Sequence, residues 1–130
     1  MKYFMTLFLL LSALHSANLN WGHSYYQALY DAKVSGKDVY LFIGADECRW
    51  CDKFKNETLS DKNVIKKLKE DYILLYMSRD QHKIPNKFNV KGVPWQYFLD
   101  DKGKILFTAQ GSREIDGFYD LLEEVDLSKD

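Results

Sequence analysis

Two short, uninterrupted runs of apolar residues constrain the fold of this chain more than any other feature of its sequence. Residues 39–43 read VYLFI, directly before Gly44, and residues 72–77 read YILLYM. A strand with one face in solvent alternates apolar and polar residues, whereas a continuous run of this length is typical of a strand covered on both faces. The two runs therefore predict buried strands in a sheet with helices on both of its faces.

Helical spacing and turn residues complete an α/β pattern around these strands. Four helices are predicted: residues 21–35, a stretch beginning at 46–48, a stretch capped by Ser60, and residues 114–125. Two further strands, joined by a hairpin turn at residues 100–103, are predicted at 95–99 and 104–108. This order predicts one α/β domain over residues 18–130, with a mixed central sheet preceded by an N-terminal helix.

The first seventeen residues predict a segment of a different kind. Lys2 is followed by a continuous apolar stretch, and the small residues Ser16 and Ala17 come at its end. This is the pattern of a secretory signal peptide, because a membrane-spanning helix needs about 20 apolar residues. We therefore predict a cleaved signal peptide over residues 1–17 and an exported domain, periplasmic in a bacterium, that works in an oxidising compartment.

Charge and cysteine content exclude several classes of protein. The chain has 18 basic and 19 acidic residues and a formal charge of -1. It lacks the basic excess that typifies nucleic-acid-binding proteins, so we expect no nucleic-acid partner. Two cysteines are also too few for the multi-bridge framework of a small secreted scaffold.

The two cysteines form a CxxC motif, Cys48-Arg49-Trp50-Cys51. Residues at i and i+3 share one face of a helix and lie close enough for a disulfide. The motif opens a predicted helix, so unpaired amide groups and the helix dipole would stabilise a thiolate at Cys48. Such positions lower a thiol pKa from about 8.5 to between about 3.5 and 7.5, and the thiolate is the attacking species in disulfide exchange. We predict a redox disulfide in which Cys48 attacks and the deeper Cys51 resolves.

Three other interpretations of the pair remain open. A structural disulfide is one, although a loop with two intervening residues constrains the unfolded chain very little. A zinc site is another, but it needs two more ligands, and the mature chain offers only His23, His82 and carboxylates. The third is a pair of cysteines without a shared role. The redox interpretation is favoured because spacing, strand–helix context and predicted export agree, and it needs no metal.

The sequence around the motif resembles the thioredoxin superfamily. Residues 39–51, VYLFIGADECRWC, resemble the family's strand and CxxC helix, and residues 88–94, FNVKGVP, resemble the segment that ends in its cis-proline. The resemblance covers residues 38–125 and implies a thioredoxin-like fold. Within the superfamily the chain is most similar to exported bacterial proteins that resemble the C-terminal domain of the membrane disulfide reductase.

The resemblance implies roles for residues near the cysteines. It implies a cis bond between Val93 and Pro94, with the Val93 backbone left to pair with an extended substrate segment. Trp50 is a candidate for the same substrate surface. Glu47 and Arg49 are candidates for tuning Cys48, because a neighbouring acid raises a thiol pKa and a neighbouring base lowers it.

The chain also departs from thioredoxin itself. Phe42 occupies the position of the family's buried acid, which assists proton transfer. Glu47 and Asp46 are the candidates for a proton shuttle in its place, but a purely electrostatic role of these carboxylates at the helix N-terminus is favoured. Eight aromatic residues are predicted to form core rather than a ligand-binding site: Tyr25, Tyr26, Tyr40, Phe42, Phe54, Tyr72, Tyr76 and Phe98.

These features predict an exported thiol–disulfide oxidoreductase acting on protein thiols and disulfides, and reset by a membrane or soluble redox partner. No cofactor is needed, because the sulfurs carry the electrons. A monomer is expected, and a reductase or isomerase is favoured over an oxidase because of the likeness to the reductase domain. The mature chain also leaves no room for the dimerisation or helical insertion domains common in dedicated oxidases and isomerases. The alternative from another class is a thioredoxin-fold binding or maturation adaptor, chaperone-like, with a non-catalytic CxxC.

Overall fold

The structure is a computed structural model that describes residues 19–129. Its elements in chain order are α1 (Tyr25–Ser35), β1 (Asp38–Gly44), α2 (Arg49–Glu57), α3 (Lys62–Asp71), β2 (Tyr72–Ser78), β3 (Trp95–Leu99), β4 (Ile105–Gln110) and α4 (Ile115–Ser128). The predicted signal peptide, residues 1–17, lies outside the described residues. Within residues 19–129, no helix has the length and apolar character needed to cross a bilayer.

The four strands form one mixed sheet in the order β2-β1-β3-β4. β1 lies parallel to β2, with Leu41 opposite Leu75, and antiparallel to β3, with Leu41 opposite Tyr97. Parallel strands need a crossover connection, which α2 and α3 supply, whereas the antiparallel β3 and β4 are joined by a hairpin. The predicted mixed sheet and element order are confirmed.

Packing on both faces of the sheet explains the continuous apolar sequence of β1. Tyr40 and Phe42 belong to a core shared with α2, α3 and α4, and Val39, Leu41 and Ile43 belong to a second core shared with α1. All five side chains are fully buried. Successive residues of a strand point to opposite faces, so a strand covered by helices on both faces has no position for a polar residue.

Two helices begin at other residues than the sequence predicts. α1 starts at Tyr25 rather than Trp21, and Ser24 caps it. Asp61 caps α3 in place of the predicted Ser60: its carboxylate accepts hydrogen bonds from two backbone N–H groups of the first turn. A carboxylate at this position also interacts favourably with the positive end of the helix dipole, which a hydroxyl cannot do as strongly.

The segment before α1 runs along the outer edge of β2. Gly22 donates its N–H to the carbonyl of Leu74 and accepts a hydrogen bond from the N–H of Tyr76, so it extends the sheet. Trp21 packs on the face opposite α1, with its ring centre 6.0 Å from that of Tyr40. The predicted start of the helix at Trp21 is wrong, because Trp21 and α1 pack in different hydrophobic cores on opposite faces of the sheet.

The predicted hairpin turn is present between β3 and β4. The Asp100 carboxylate accepts hydrogen bonds from the N–H groups of Lys102 and Lys104. Gly103 has a φ of 83°, in the left-handed region that favours glycine, and a Cβ there would collide with the hydroxyl of Tyr25. Both the backbone and the packing therefore require glycine at this position.

Candidate active site

A disulfide joins Cys48 and Cys51 at the start of α2. Cys48 is the N-cap residue, and its sulfur accepts a hydrogen bond from the N–H of Cys51 at 3.1 Å. Cys48 is half-buried, whereas Cys51 is fully buried. Negative charge on the Cys48 sulfur is thus favoured by a helix amide and the helix dipole, while burial opposes negative charge on Cys51.

The loop between β1 and α2 is held by the end of β2. The Asp46 carboxylate accepts hydrogen bonds from the hydroxyl of Ser78 at 2.9 Å and from the amide of Gln81 at 2.7 Å. Glu47, the other candidate for proton transfer, has an exposed side chain. Asp46 therefore positions the loop before the cysteines, and both acidic side chains lie outside the core.

The two residues between the cysteines face solvent. Trp50 has 55% of its surface exposed. The guanidinium carbon of Arg49 and the ammonium of Lys53 lie 5.9 and 5.4 Å from its ring centre, at cation–π distance. A large exposed apolar ring directly beside the cysteines is a surface on which another protein can pack.

The bond between Val93 and Pro94 is cis, as the resemblance implies. These two residues and Trp50 line a single cleft of about 390 Å³. Within residues 19–129, the N–H and C=O of Val93 form no backbone hydrogen bond. The structure thus brings together the three residues that the sequence assigns to substrate binding.

The rest of the lining of this cleft comes from α2 and from residues between the end of β4 and the start of α4. Its residues are Lys53, Glu57, Gln110, Gly111, Ser112, Arg113 and Glu114. Gly111 has a φ of 89° at the turn out of β4. These lining residues form no sequence motif, so the sequence alone does not indicate them.

The interior beneath the cysteines is aromatic. Phe42 packs its ring 5.6 Å from Phe54 and 5.3 Å from Tyr76. The ammonium of Lys55 lies 4.2 Å from the centre of the Tyr76 ring. Within the described residues the buried polar side chains are Thr58, Ser78 and Gln96, and no carboxylate is among them.

The two histidines considered as zinc ligands lie beside each other. The rings of His23 and His82 stack with centres 5.1 Å apart. A ring nitrogen of His82 accepts a hydrogen bond from the N–H of Ser78, and His23 Nδ1 lies 2.9 Å from the carbonyl oxygen of Tyr76. In the part of the chain that the structure describes, no three His, Cys, Asp or Glu residues are grouped to hold a metal ion.

Comparison with known proteins identifies the family. The model of the thioredoxin-like domain family matches residues 25–126. The thiol:disulfide interchange protein DsbD of Yersinia pestis is 32% identical over 93 residues, which cover 68% of this chain and 15% of that protein. The chain thus corresponds to a small part of the length of this relative.

Two solved structures show the same fold. A thioredoxin from Thermus thermophilus has a TM-score of 0.69 and 24% identity, with 81% of this chain and 85% of that chain covered. The oxidised C-terminal domain of Neisseria meningitidis DsbD has a TM-score of 0.62 and 17% identity, with 75% and 89% covered.

The family match extends from the first residue of α1 to the last turns of α4, and so includes the whole sheet and the CxxC helix. Within the matched residues, the disulfide between Cys48 and Cys51 lies between the buried strand β1 and the first turn of α2. The chain belongs to the thioredoxin-like domain family and carries a CxxC motif at Cys48 and Cys51.

Proposed function

We propose that this protein is an exported reductase or isomerase of protein disulfides, in which Cys48 attacks and Cys51 resolves. The observation that carries the proposal is the difference between the two sulfurs. Cys48 is half-buried and accepts the N–H of Cys51, whereas Cys51 is fully buried. A substrate disulfide can reach the sulfur at the helix N-terminus, where its thiolate is stabilised.

The reductive reaction has two exchange steps. The Cys48 thiolate attacks a substrate disulfide, and one substrate sulfur leaves with the bonding electron pair. Cys51 then attacks the Cys48 sulfur, so the Cys48–Cys51 bond forms and the second substrate sulfur is released. A membrane or soluble redox partner returns two electrons to the pair by the same exchange chemistry.

The cleft beside Trp50 supports a protein as the substrate. An extended segment can add to the open backbone of Val93 by strand pairing, while one of its side chains packs on Trp50. Pro94 has no N–H that would compete for this pairing. Glu47 and Arg49 flank Cys48 and have opposite effects on its pKa. The acid raises the pKa and so disfavours the thiolate, whereas the base lowers the pKa and so favours it.

The proposed export of the protein and the proposed direction of electron flow both rest on the sequence. The charged start, apolar stretch and small residues of positions 1–17 support secretion. The reductase direction rests on the resemblance to the C-terminal domain of the membrane disulfide reductase. The name of the Yersinia pestis relative, a thiol:disulfide interchange protein, supports exchange with other proteins.

Two measurements test the proposal. Equilibration with dithiothreitol or glutathione should give a reduction potential near about -270 mV, and a value near about -120 mV would mark an oxidant and overturn the direction. Cys51→Ser should accumulate mixed disulfides with substrate proteins, and Cys48→Ser should abolish both trapping and turnover. Full biological activity of Cys48→Ser would instead identify the binding or maturation adaptor.

A further inference from the structure

The resolving step needs a thiolate in an unfavourable place. Cys51 is fully buried, and burial disfavours the charged form of a thiol. Within residues 19–129 no carboxylate is buried. Asp46 is committed to hydrogen bonds with Ser78 and Gln81. Another group must therefore stabilise the Cys51 sulfur when it attacks.

The absence of a side chain at Gly44 leaves a narrow gap that is bordered by a tyrosine hydroxyl and by the sulfur of Cys51. The point that a Cβ on Gly44 would occupy lies 3.0 Å from the hydroxyl oxygen of Tyr76 and 3.5 Å from the sulfur of Cys51. The hydroxyl and the sulfur thus face the same small gap. The parallel register of β1 and β2 creates it, because Tyr76 pairs with Phe42, two residues before Gly44 on the same face.

The Tyr76 ring is held in a defined position beside this gap. Its centre lies 5.3 Å from that of Phe42 and 6.2 Å from that of Trp21. The ammonium of Lys55 lies 4.2 Å from the ring centre and adds a positive charge, which favours an anion nearby.

Two imidazoles also lie near this ring. The centres of His23 and His82 are 6.1 and 6.5 Å from that of Tyr76. His82 accepts the N–H of Ser78, and His23 Nδ1 is within hydrogen-bond distance of the Tyr76 carbonyl. Lys55, Cys48, Asp46 and Arg79 are further titratable groups near Tyr76 or Gly44. The atoms nearest to the Cβ position of Gly44 belong to Tyr76 and Cys51.

We propose that the Tyr76 hydroxyl donates a hydrogen bond to the Cys51 sulfur once the disulfide is opened, and so stabilises the thiolate that resolves the mixed disulfide. This inference rests on the redox function proposed above. Cys51 releases its proton to solvent, and its sulfur attacks the sulfur of Cys48. The Cys48–Cys51 bond forms as the Cys48–substrate bond breaks, and the substrate sulfur leaves with the electron pair and takes a proton from solvent. Tyr76 keeps its own proton throughout.

The first test measures the ionisation of Cys51 directly. In a Cys48→Ser background, the ultraviolet absorbance of the Cys51 thiolate is followed against pH with and without Tyr76→Phe. Loss of the hydroxyl should raise the midpoint by about one pH unit, which corresponds to about a tenfold smaller thiolate fraction. An unchanged midpoint would overturn the proposal.

Tyr72→Phe is the matched control for this titration. Tyr72 lies on the same strand and face as Tyr76, but its hydroxyl accepts a hydrogen bond from Lys129 at the other end of β2. The control removes one tyrosine from the absorbance background without changing the gap at Gly44. An equal rise in the Cys51 midpoint in Tyr72→Phe would assign the effect to general packing and contradict the proposal.

A second variant and a rate measurement complete the test. Gly44→Ala places a Cβ 3.0 Å from the Tyr76 hydroxyl and closes the gap, so it should raise the Cys51 midpoint as well. With Cys48 intact, Tyr76→Phe should slow resolution of a preformed mixed disulfide about tenfold while alkylation of Cys48 keeps its rate. If Tyr76→Phe raises the Cys51 midpoint but the parent protein does not turn over disulfide substrates, the proposed function alone is rejected. If the parent protein turns over substrates but Tyr76→Phe leaves the midpoint unchanged, the role of Tyr76 alone is rejected.

Discussion

At the scale of single residues, two identical thiols acquire different properties from their positions on one helix. Cys48 precedes the first turn of α2 and meets its free amides, while Cys51 lies one turn further in and is buried under the sheet. This difference could be predicted from the sequence, because a helix that opens at a CxxC motif determines both environments. The partner of the buried sulfur could not, because Tyr76 reaches Gly44 only through strand pairing.

Trp50 provides a test of the substrate surface. Because its ring is largely exposed, Trp50→Ala should change the free energy of unfolding by less than about 0.5 kcal/mol. It should raise the KM for protein disulfides several-fold while leaving the rate with a small disulfide unchanged. Tyr26→Ala is the control, since Tyr26 is 79% exposed on α1, contrary to the core position predicted for it. A KM unchanged in Trp50→Ala, or raised equally in Tyr26→Ala, would contradict a substrate role.

Ionisation of Tyr40 makes the free energy of unfolding depend on pH in the alkaline range. Its hydroxyl donates to Gln96 at 2.6 Å, and burial, which outweighs the opposing charge of Arg113, raises the pKa of Tyr40 well above the ordinary 10.0. The unfolded chain releases this proton near pH 10 and the folded chain keeps it, so the stabilisation is complete below pH 10 and declines above it.

Tyr40→Phe tests this dependence. At neutral pH it should lower the free energy of unfolding by about 1–3 kcal/mol, because the buried amide of Gln96 loses a partner. Urea unfolding at a series of pH values should then show a smaller further loss in the variant than in the parent protein above about pH 10. If the free energy of unfolding falls equally in the two proteins above about pH 10, Tyr40 does not titrate as its burial implies.

At the scale of helices and strands, local sequence determined the existence of each element and long-range pairing shifted some of their ends. The sequence correctly predicts a helix after Cys48 and a second helical stretch after Ser60. Apolar spacing fails at Trp21, since Gly22 joins the sheet by bonds to β2, more than fifty residues away. Such bonds leave no periodic signal in the sequence.

The N-cap of α3 gives a prediction at this scale. Asp61→Ala should lower the free energy of unfolding by about 1 kcal/mol, because two amide groups of the first turn lose their acceptor. Ser60→Ala is the neighbouring control, since the Ser60 hydroxyl bonds back to the carbonyl of Asn56 and does not cap α3. Thermal or urea unfolding of the two variants distinguishes the caps, and a larger loss in Ser60→Ala would restore the assignment predicted from sequence.

At the scale of the whole molecule, an aromatic core joins the CxxC helix to the sheet and to α4. Phe118 of α4 is fully buried, with its ring centre 5.6 Å from Phe54 of α2 and 6.0 Å from Tyr40 of β1. Phe118→Ala should therefore cost about 3–5 kcal/mol of unfolding free energy. Leu127→Ala, at an exposed position of the same helix, should cost less than about 0.5 kcal/mol. Chemical unfolding measures both, and similar losses would show that α4 is not anchored through Phe118.

The sequence by itself determined the α/β class, the position of the redox pair, the hairpin turn and the segment that ends at Pro94. These depend on neighbouring residues: continuous apolar runs, the spacing of two cysteines, and a glycine in a tight turn. Only the tertiary structure decided which side chains meet around the pair. Residues at the end of β4 and after it complete the cleft beside Trp50, and the gap bordered by Tyr76 and Cys51 lies where the register of β1 and β2 places Gly44. Contacts between distant parts of a chain depend on strand register and helix packing, which no local pattern specifies.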